Sequence, residues 1–146
     1  MATPTAHTDA QGQNDIDRNV RQYTDLDLFF GKKATSKDIS KVTDIQAVKR
    51  SIRNLVLTNH YEKPFHPEIG SGVRGILFEP MTPLTAHILT RKIEDVIENF
   101  EPRARLISVR ALPNLDRNEY ECTIKFYVVN APTELVDLTI FLERLR

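Results

Sequence analysis

The chain of 146 residues carries 20 Lys and Arg against 20 Asp and Glu, is 40% hydrophobic, and holds one Cys and no Trp, which fits one soluble globular domain. Zero formal net charge removes the long-range attraction on which a non-specific nucleic-acid or acidic-membrane binder relies, and no apolar run approaches the roughly 18–20 residues needed to cross a bilayer. Cys122 alone excludes an internal disulfide and a multi-cysteine zinc site.

Residues 1–22 include only Met1, Ile16 and Val20 as sizeable apolar groups. Such a segment buries too little to offset its ordering entropy, so a flexible N-terminal arm is expected there, with the folded domain over 23–146. The start has neither the basic residues nor the apolar stretch of a secretory signal, and the product is expected to stay in the cytoplasm where it is made. Tyr23–Phe30 alternates partly and ends at Gly31, which suits a short strand or extended segment.

Lys32, Lys33, Lys37, Lys41, Lys49, Arg50 and Arg53 outnumber Asp38 and Asp44 in the next segment. They form either a docking surface for an acidic partner or, the simpler reading, a solvated helix face beside a polar loop. Thr43 and Gln46 have capping-box spacing, and Ile45, Val48, Ile52, Leu55 and Val56 recur at helical spacing, predicting a helix over 44–58. Pro64, Pro67, Gly70, Gly72 and Gly75 then forbid a long regular element, leaving a structured crossing loop.

A second helix is predicted over 83–100, with Thr82 as N-cap, Pro83 at the first helical position, and Leu84, Ile88, Leu89, Ile93, Val96, Ile97 and Phe100 on one face. Pro102 stops it. Three strands follow near 104–112, 119–129 and 135–145, separated by 113–118 and 130–133. In the middle strand Tyr120, Cys122, Ile124, Phe126 and Val128 share one face, and Glu119, Glu121, Thr123 and Lys125 the other. The expected class is therefore α+β, two main helices on an antiparallel meander of three to four strands. The last strand is a candidate edge, open to strand addition by a partner.

Catalytic and ligand signals are weak. Gly70-Ser71-Gly72-Val73-Arg74-Gly75 matches G-x-G-x-x-G. A dinucleotide site needs that motif between a strand and a long helix, whereas prolines precede it here and Glu79-Pro80 follows closely. His7, His60, His66 and His87 are scattered, so no metal is expected, and Cys122 in mid-strand reads as a small core residue. No cofactor is expected. Glu68, Glu79, Asp95 and Glu101 are the carboxylates that a glycosidase pair could draw on, with nothing marking one as buried and another as exposed. Glu101-Pro102-Arg103 stands out because proline fixes the backbone between opposite charges. It is either a helix-end ion pair or a rigid charged knob read by another protein, with Arg103 contacting a carboxylate bidentately.

Three stretches together resemble the baseplate wedge and sheath-initiator family of contractile phage tails, which also includes the corresponding component of type VI secretion baseplates. They are the first-helix segment from Ala47 to Thr58, the loop from Lys63 to Pro80, and Glu101-Pro102-Arg103, and with the meander they cover the chain from about Leu26 onward. The resemblance implies a structural protein of the virion tail baseplate, assembled in the host cytoplasm and present as six copies around a nearby tail tube. It implies docking on baseplate wedge proteins through Glu101, Pro102 and Arg103, and contact with the tail sheath protein by strand addition, with no nucleic acid and no membrane as partners. On that view Glu101→Ala and Arg103→Ala keep the fold and lose assembly. The family also carries a lysozyme-like label, which leaves a peptidoglycan-cleaving enzyme as the alternative, although no carboxylate pair here is named as catalytic.

Overall fold

In the computed structural model, which describes residues 23–28, 30–32 and 37–145, the first elements are two short strands, β1 (Thr24–Leu26) and β2 (Lys41–Thr43). The arm expected over residues 1–22 lies outside the described residues. β1 sits within the segment read as extended, but β2 falls where a polar loop was expected. The two pair antiparallel as a separate ribbon, Thr24 opposite Thr43 and Leu26 opposite Lys41. Strands of three residues are too short for alternation to announce them.

The first long helix, α1 (Asp44–Leu57), buries Ala47, Val48, Ile52 and Val56. The capping box expected at its start is absent, because the Thr43 side chain makes no cap hydrogen bond. Thr43 belongs to the β1–β2 ribbon, and Asp44 secures the helix start instead. Its N–H donates to the Tyr23 carbonyl at 2.7 Å, and its carboxylate accepts from the Tyr23 N–H at 3.2 Å. The reciprocal pair ties the beginning of the domain to the beginning of α1.

After the proline loop comes one helical turn, α2 (Val73–Ile76), and then α3 (Pro83–Phe100). Thr82 caps α3 by accepting from the Thr85 N–H at 3.1 Å, with Pro83 in the first turn. Leu89, Ile93, Val96 and Ile97 are buried as expected, joined by Thr85 and Ala86. Leu84 and Ile88 are not: they are 69% and 43% exposed. At about 100° per residue they lie roughly 180° and 140° around the helix from Ile93, so the seam on the sheet passes through Ala86 rather than through them.

The meander is β3 (Ala104–Asn114), β4 (Glu119–Val128) and β5 (Ala131–Glu143), antiparallel in the order β3-β4-β5. The helices cover one face of it, where Tyr120, Cys122, Ile124, Phe126 and Val128 meet the buried residues of α1 and α3. The α+β class is thus as expected, with three strands in this sheet and the fourth and fifth in the small ribbon. Two strand boundaries differ. β3 runs on through Pro113, opposite Tyr120, which is tolerated because an edge strand has one side without ladder bonds. β5 starts at Ala131 and ends at Glu143, after which the Leu145 N–H donates to the Leu77 carbonyl at 3.0 Å.

Two irregularities interrupt the ladders. Leu106 faces Phe126 whereas Ser108 faces Lys125, so Ile107 is an extra residue that reverses the alternation of β3. Near the start of β5, Leu135 faces Tyr127 but Ala131 faces Val128, leaving residues 132–134 without partners on β4. From Leu135 to Glu143 the register is unbroken. No helix among the described residues is long and apolar enough to cross a membrane.

Candidate docking site

Where α3 ends, Glu101 caps it with its N–H on the Ile97 carbonyl at 2.9 Å, and Pro102 prevents continuation. The chain turns into β3, and the turn brings the Glu101 carboxylate under the Arg103 guanidinium. Arg103 donates from Nε to Glu101 Oε1 at 2.7 Å and from Nη2 to Oε2 at 2.9 Å, a bidentate pair. The Glu101 side chain is 3% exposed and that of Arg103 23%, while Pro102 is on the surface. Burial pushes the Glu101 carboxyl up, but hydrogen bonds from Arg103 and Ser51 and the Arg103 charge outweigh it, holding it below the ordinary carboxylate range. The same hydrogen bond, donated to Glu101, raises Arg103 further above its already high value.

Arg103 is also held from a distant part of the chain. Its Nη1 donates to both oxygens of Asp25 on β1, at 3.2 and 3.1 Å, across 78 positions of sequence, and its guanidinium lies 5.7 Å from the centroid of the Tyr23 ring. Beside this, Asp27 accepts from Arg50 of α1. Asp25 and Ser51 carry no local sequence signal, and Tyr23 and Arg50 are marked only as parts of the extended segment and the basic run, because each reaches the corner from another element. The basic run was read as one solvated face, yet Arg50 is tied to Asp27. Lys33 lies outside the described residues.

The arrangement decides between the two readings of the motif only in part. Glu101 is inside, and the surface of the corner is Pro102 and the outer edge of Arg103. Substituting Glu101 or Arg103 removes one half of a largely buried pair and is a stability change first. Alanine at either position is therefore expected to cost stability alongside any effect on assembly.

Next to the corner, a groove of about 740 Å³ runs between β1, α1 and the proline loop, lined by Leu26, Leu28, Leu55, Pro64 and Ile69 together with polar groups that include Asp25, Arg50, Glu62 and Lys63. Leu26 and Leu28 are 59% and 58% exposed. This pairs an open groove of mixed lining with a rigid charged corner.

The other sequence candidates resolve as structure. A Cβ on Gly70 would lie 2.4 Å from the His60 backbone nitrogen, and Ser71, buried, donates from Oγ to the Val56 carbonyl at 2.6 Å. The glycine motif thus pins the loop to the end of α1, and the four-residue α2 after it offers no phosphate-binding helix. His66 pairs with Glu68 at 3.1 Å on the surface, and among the described residues no group of three His, Cys, Asp or Glu is placed to hold a metal. Cys122 is fully buried and its thiol is pushed up to about 12 by burial, which fits a packing role. Of the four carboxylates, Glu68, Glu79 and Asp95 are exposed. Glu68 and Glu101 both lie below the ordinary value, opposite to what a general acid needs.

The free edge of β5 is the second surface. The Arg144 N–H donates to the Asn118 carbonyl at 2.9 Å, and the register is constant from Leu135 to Glu143. Antiparallel bonding alternates by two, so even-numbered residues of β5 bond to β4. The N–H and C=O groups of Leu135, Asp137, Thr139, Phe141 and Glu143 face away from the sheet. The opposite edge, β3, carries the Ile107 bulge and Pro113, two features that blunt pairing.

Similarity to known proteins shows the family. The family model described as baseplate wedge protein gp25 matches residues 42–133. The chain is 34% identical over 113 residues to baseplate wedge protein gp25 of Enterobacteria phage T4, covering 77% of this chain and 85% of that protein. The fold is similar to a chain in the cryo-EM structure of the anti-feeding prophage baseplate, with TM-score 0.60, 19% identity and coverage of 86% and 88%. It is also similar to a crystal structure from Geobacter sulfurreducens whose description names a tail lysozyme, with TM-score 0.58, 22% identity and coverage of 68% and 91%. At those identities the two structures speak to the fold alone, while the family model and the phage relative speak to descent: this chain belongs to the gp25 family of baseplate wedge proteins of contractile tails.

Proposed function

We propose that this chain is a structural, non-enzymatic subunit of the tail baseplate that docks on inner wedge proteins and templates the first ring of sheath. The observation that carries the second half is the β5 edge, unbroken from Leu135 to Glu143, set against a β3 edge interrupted by a bulge and a proline. Strand addition supplies backbone hydrogen bonds in register, which is what a template for a repeating polymer requires. Docking on the wedge uses Pro102, the outer edge of Arg103 and the neighbouring groove at Leu26 and Leu28, with Glu101 fixing Arg103 from beneath. Six copies around the tail, close to the tube, follow from the family's architecture.

The experiment mixes the purified chain with sheath and wedge subunits of the same particle and scores sheath growth by electron microscopy. Thr139→Pro removes an outward N–H from β5 at a position where an edge strand tolerates proline, and is expected to stop growth while wedge binding persists. Leu28→Glu is expected to do the reverse. Growth that is indifferent to Thr139→Pro in a folded protein overturns the template role. The competing peptidoglycan-cleaving enzyme rests on the family's lysozyme-like label, and it predicts release of soluble fragments from purified cell wall; none is expected.

A further inference from the structure

The C-terminal end of the β5 edge adjoins a hollow that the template role does not by itself explain. Here α2 and the last turn of α1 come alongside β5, and the Leu145 N–H bonded to the Leu77 carbonyl at 3.0 Å closes the ladder. Between them lies a pocket of about 370 Å³ lined by Val56, Leu57, Val73, Leu77, Leu142 and Leu145. Arg74 also lines it, and Phe141 and Glu143 border it at the strand edge. Leu57 is 50% exposed, so the apolar lining is open on the helix side. Phe141 and Glu143 are also the last two residues whose backbone groups face outward along the free edge, as the Arg144–Asn118 bond and the constant register require.

An extended segment paired along β5 directs alternate side chains to the helix-covered side of the sheet. At the closed end of the edge, that side is this pocket. Backbone pairing gives affinity without sequence preference, whereas a pocket for one alternate side chain gives register and choice. A one-residue slip points the pocket-facing side chain to the opposite side.

We infer that the pocket is a side-chain socket for the strand added to β5. It receives one bulky apolar residue, of the size of Leu, Ile or Phe, from an extended segment of a sheath subunit, and so sets the register of the first sheath ring. This rests on the strand-addition reading above. The occupant is an extended strand rather than a helix because the outward N–H and C=O groups of Thr139, Phe141 and Glu143 are continuous with the pocket mouth, and only an extended chain satisfies them.

The test measures binding of the purified sheath subunit of the same particle to four versions of the full chain: wild type, Thr139→Pro, Leu57→Asp and Leu57→Met. Circular dichroism confirms that each is folded, and sedimentation reports the state of the chain alone. The socket predicts that Leu57→Asp weakens binding about tenfold or more, the scale of one lost apolar side-chain burial, and that Leu57→Met restores it. Loss with Thr139→Pro but wild-type binding by folded Leu57→Asp overturns the socket and leaves strand addition standing. Wild-type binding by folded Thr139→Pro overturns both. If the chain alone dimerises and Leu57→Asp dissolves the dimer without weakening sheath binding, the pocket serves self-association and the inference is overturned.

Discussion

The corner at Glu101–Arg103 and the edge of β5 are both candidate contact surfaces, and they are built in opposite ways. At the corner, the Arg103 guanidinium donates to Glu101 and Asp25 and lies near the Tyr23 ring. Along β5, the outward backbone groups from Leu135 to Glu143 are offered to the surroundings. A closed network holds shape and an open ladder recruits a strand. The corner therefore anchors β1 and α1 to the end of α3, and presents a stiff surface because its interior bonds are already made. The side chains of β5 help build the core, but its outward backbone groups make no ladder bonds among the described residues and are open to a partner.

The largest effect is expected from opening the corner. Arg103→Ala leaves the Glu101 carboxylate buried without its cation, and about 3–5 kcal/mol of stability is expected to be lost near neutral pH, measured by urea denaturation. The loss is expected to shrink as pH falls, because protonated Glu101 no longer needs the cation. Pairing Glu101→Gln with Arg103→Met is expected to recover much of it, since two neutral groups replace a pair that had to be desolvated. Equal losses for the single and double variants would mean that Arg103 contributes packing rather than charge.

The pH dependence of the unmodified chain is the next probe. Glu101 has a folded pKa below its unfolded value of about 4.3. A carboxyl of that kind contributes stability that is complete above its unfolded pKa and is lost as pH falls through its folded one. Stability is therefore expected to drop below about pH 4.5, and Glu101→Gln is expected to flatten that part of the curve relative to wild type. A parallel curve for the variant would assign the acid sensitivity to other groups.

Smaller changes separate the outer parts. Asp25→Asn removes a partner whose side chain is 39% exposed, so about 1 kcal/mol or less is expected, together with looser β1 in hydrogen exchange. Thr139→Pro, on the open edge, is expected to cost about 1 kcal/mol or less while abolishing strand addition. If Thr139→Pro instead unfolds the chain, the edge is part of the scaffold and the contrast between the two regions fails.

Much of the scaffold is legible in the sequence because its signals are local. Thr82 and Pro83 mark the start of α3, and the alternation from Tyr120 to Val128 marks β4; both stand where expected. What sequence periodicity hides is a change of phase or a partner from afar. Ile107 shifts β3 by one residue, so the inward pair Leu106 and Val109 breaks the alternation that pattern reading follows. Leu84 and Ile88 look like part of the α3 stripe, yet the sheet takes only the seam through Leu89 and Ile93. At the corner, Glu101, Pro102 and Arg103 are adjacent and visible, whereas Asp25 and Ser51 arrive from β1 and α1 through tertiary folding. Burial of Glu101 reverses the naive view of the motif as two exposed charges.

The most direct measurement is residue-resolved amide exchange on the purified chain, alone and with its sheath subunit. Alternating new protection at Leu135, Asp137, Thr139, Phe141 and Glu143 is predicted, with the Glu101–Arg103 corner and β3 unchanged. Sheath binding that leaves those five amides exchanging as before, or that protects β3 instead, would contradict the account.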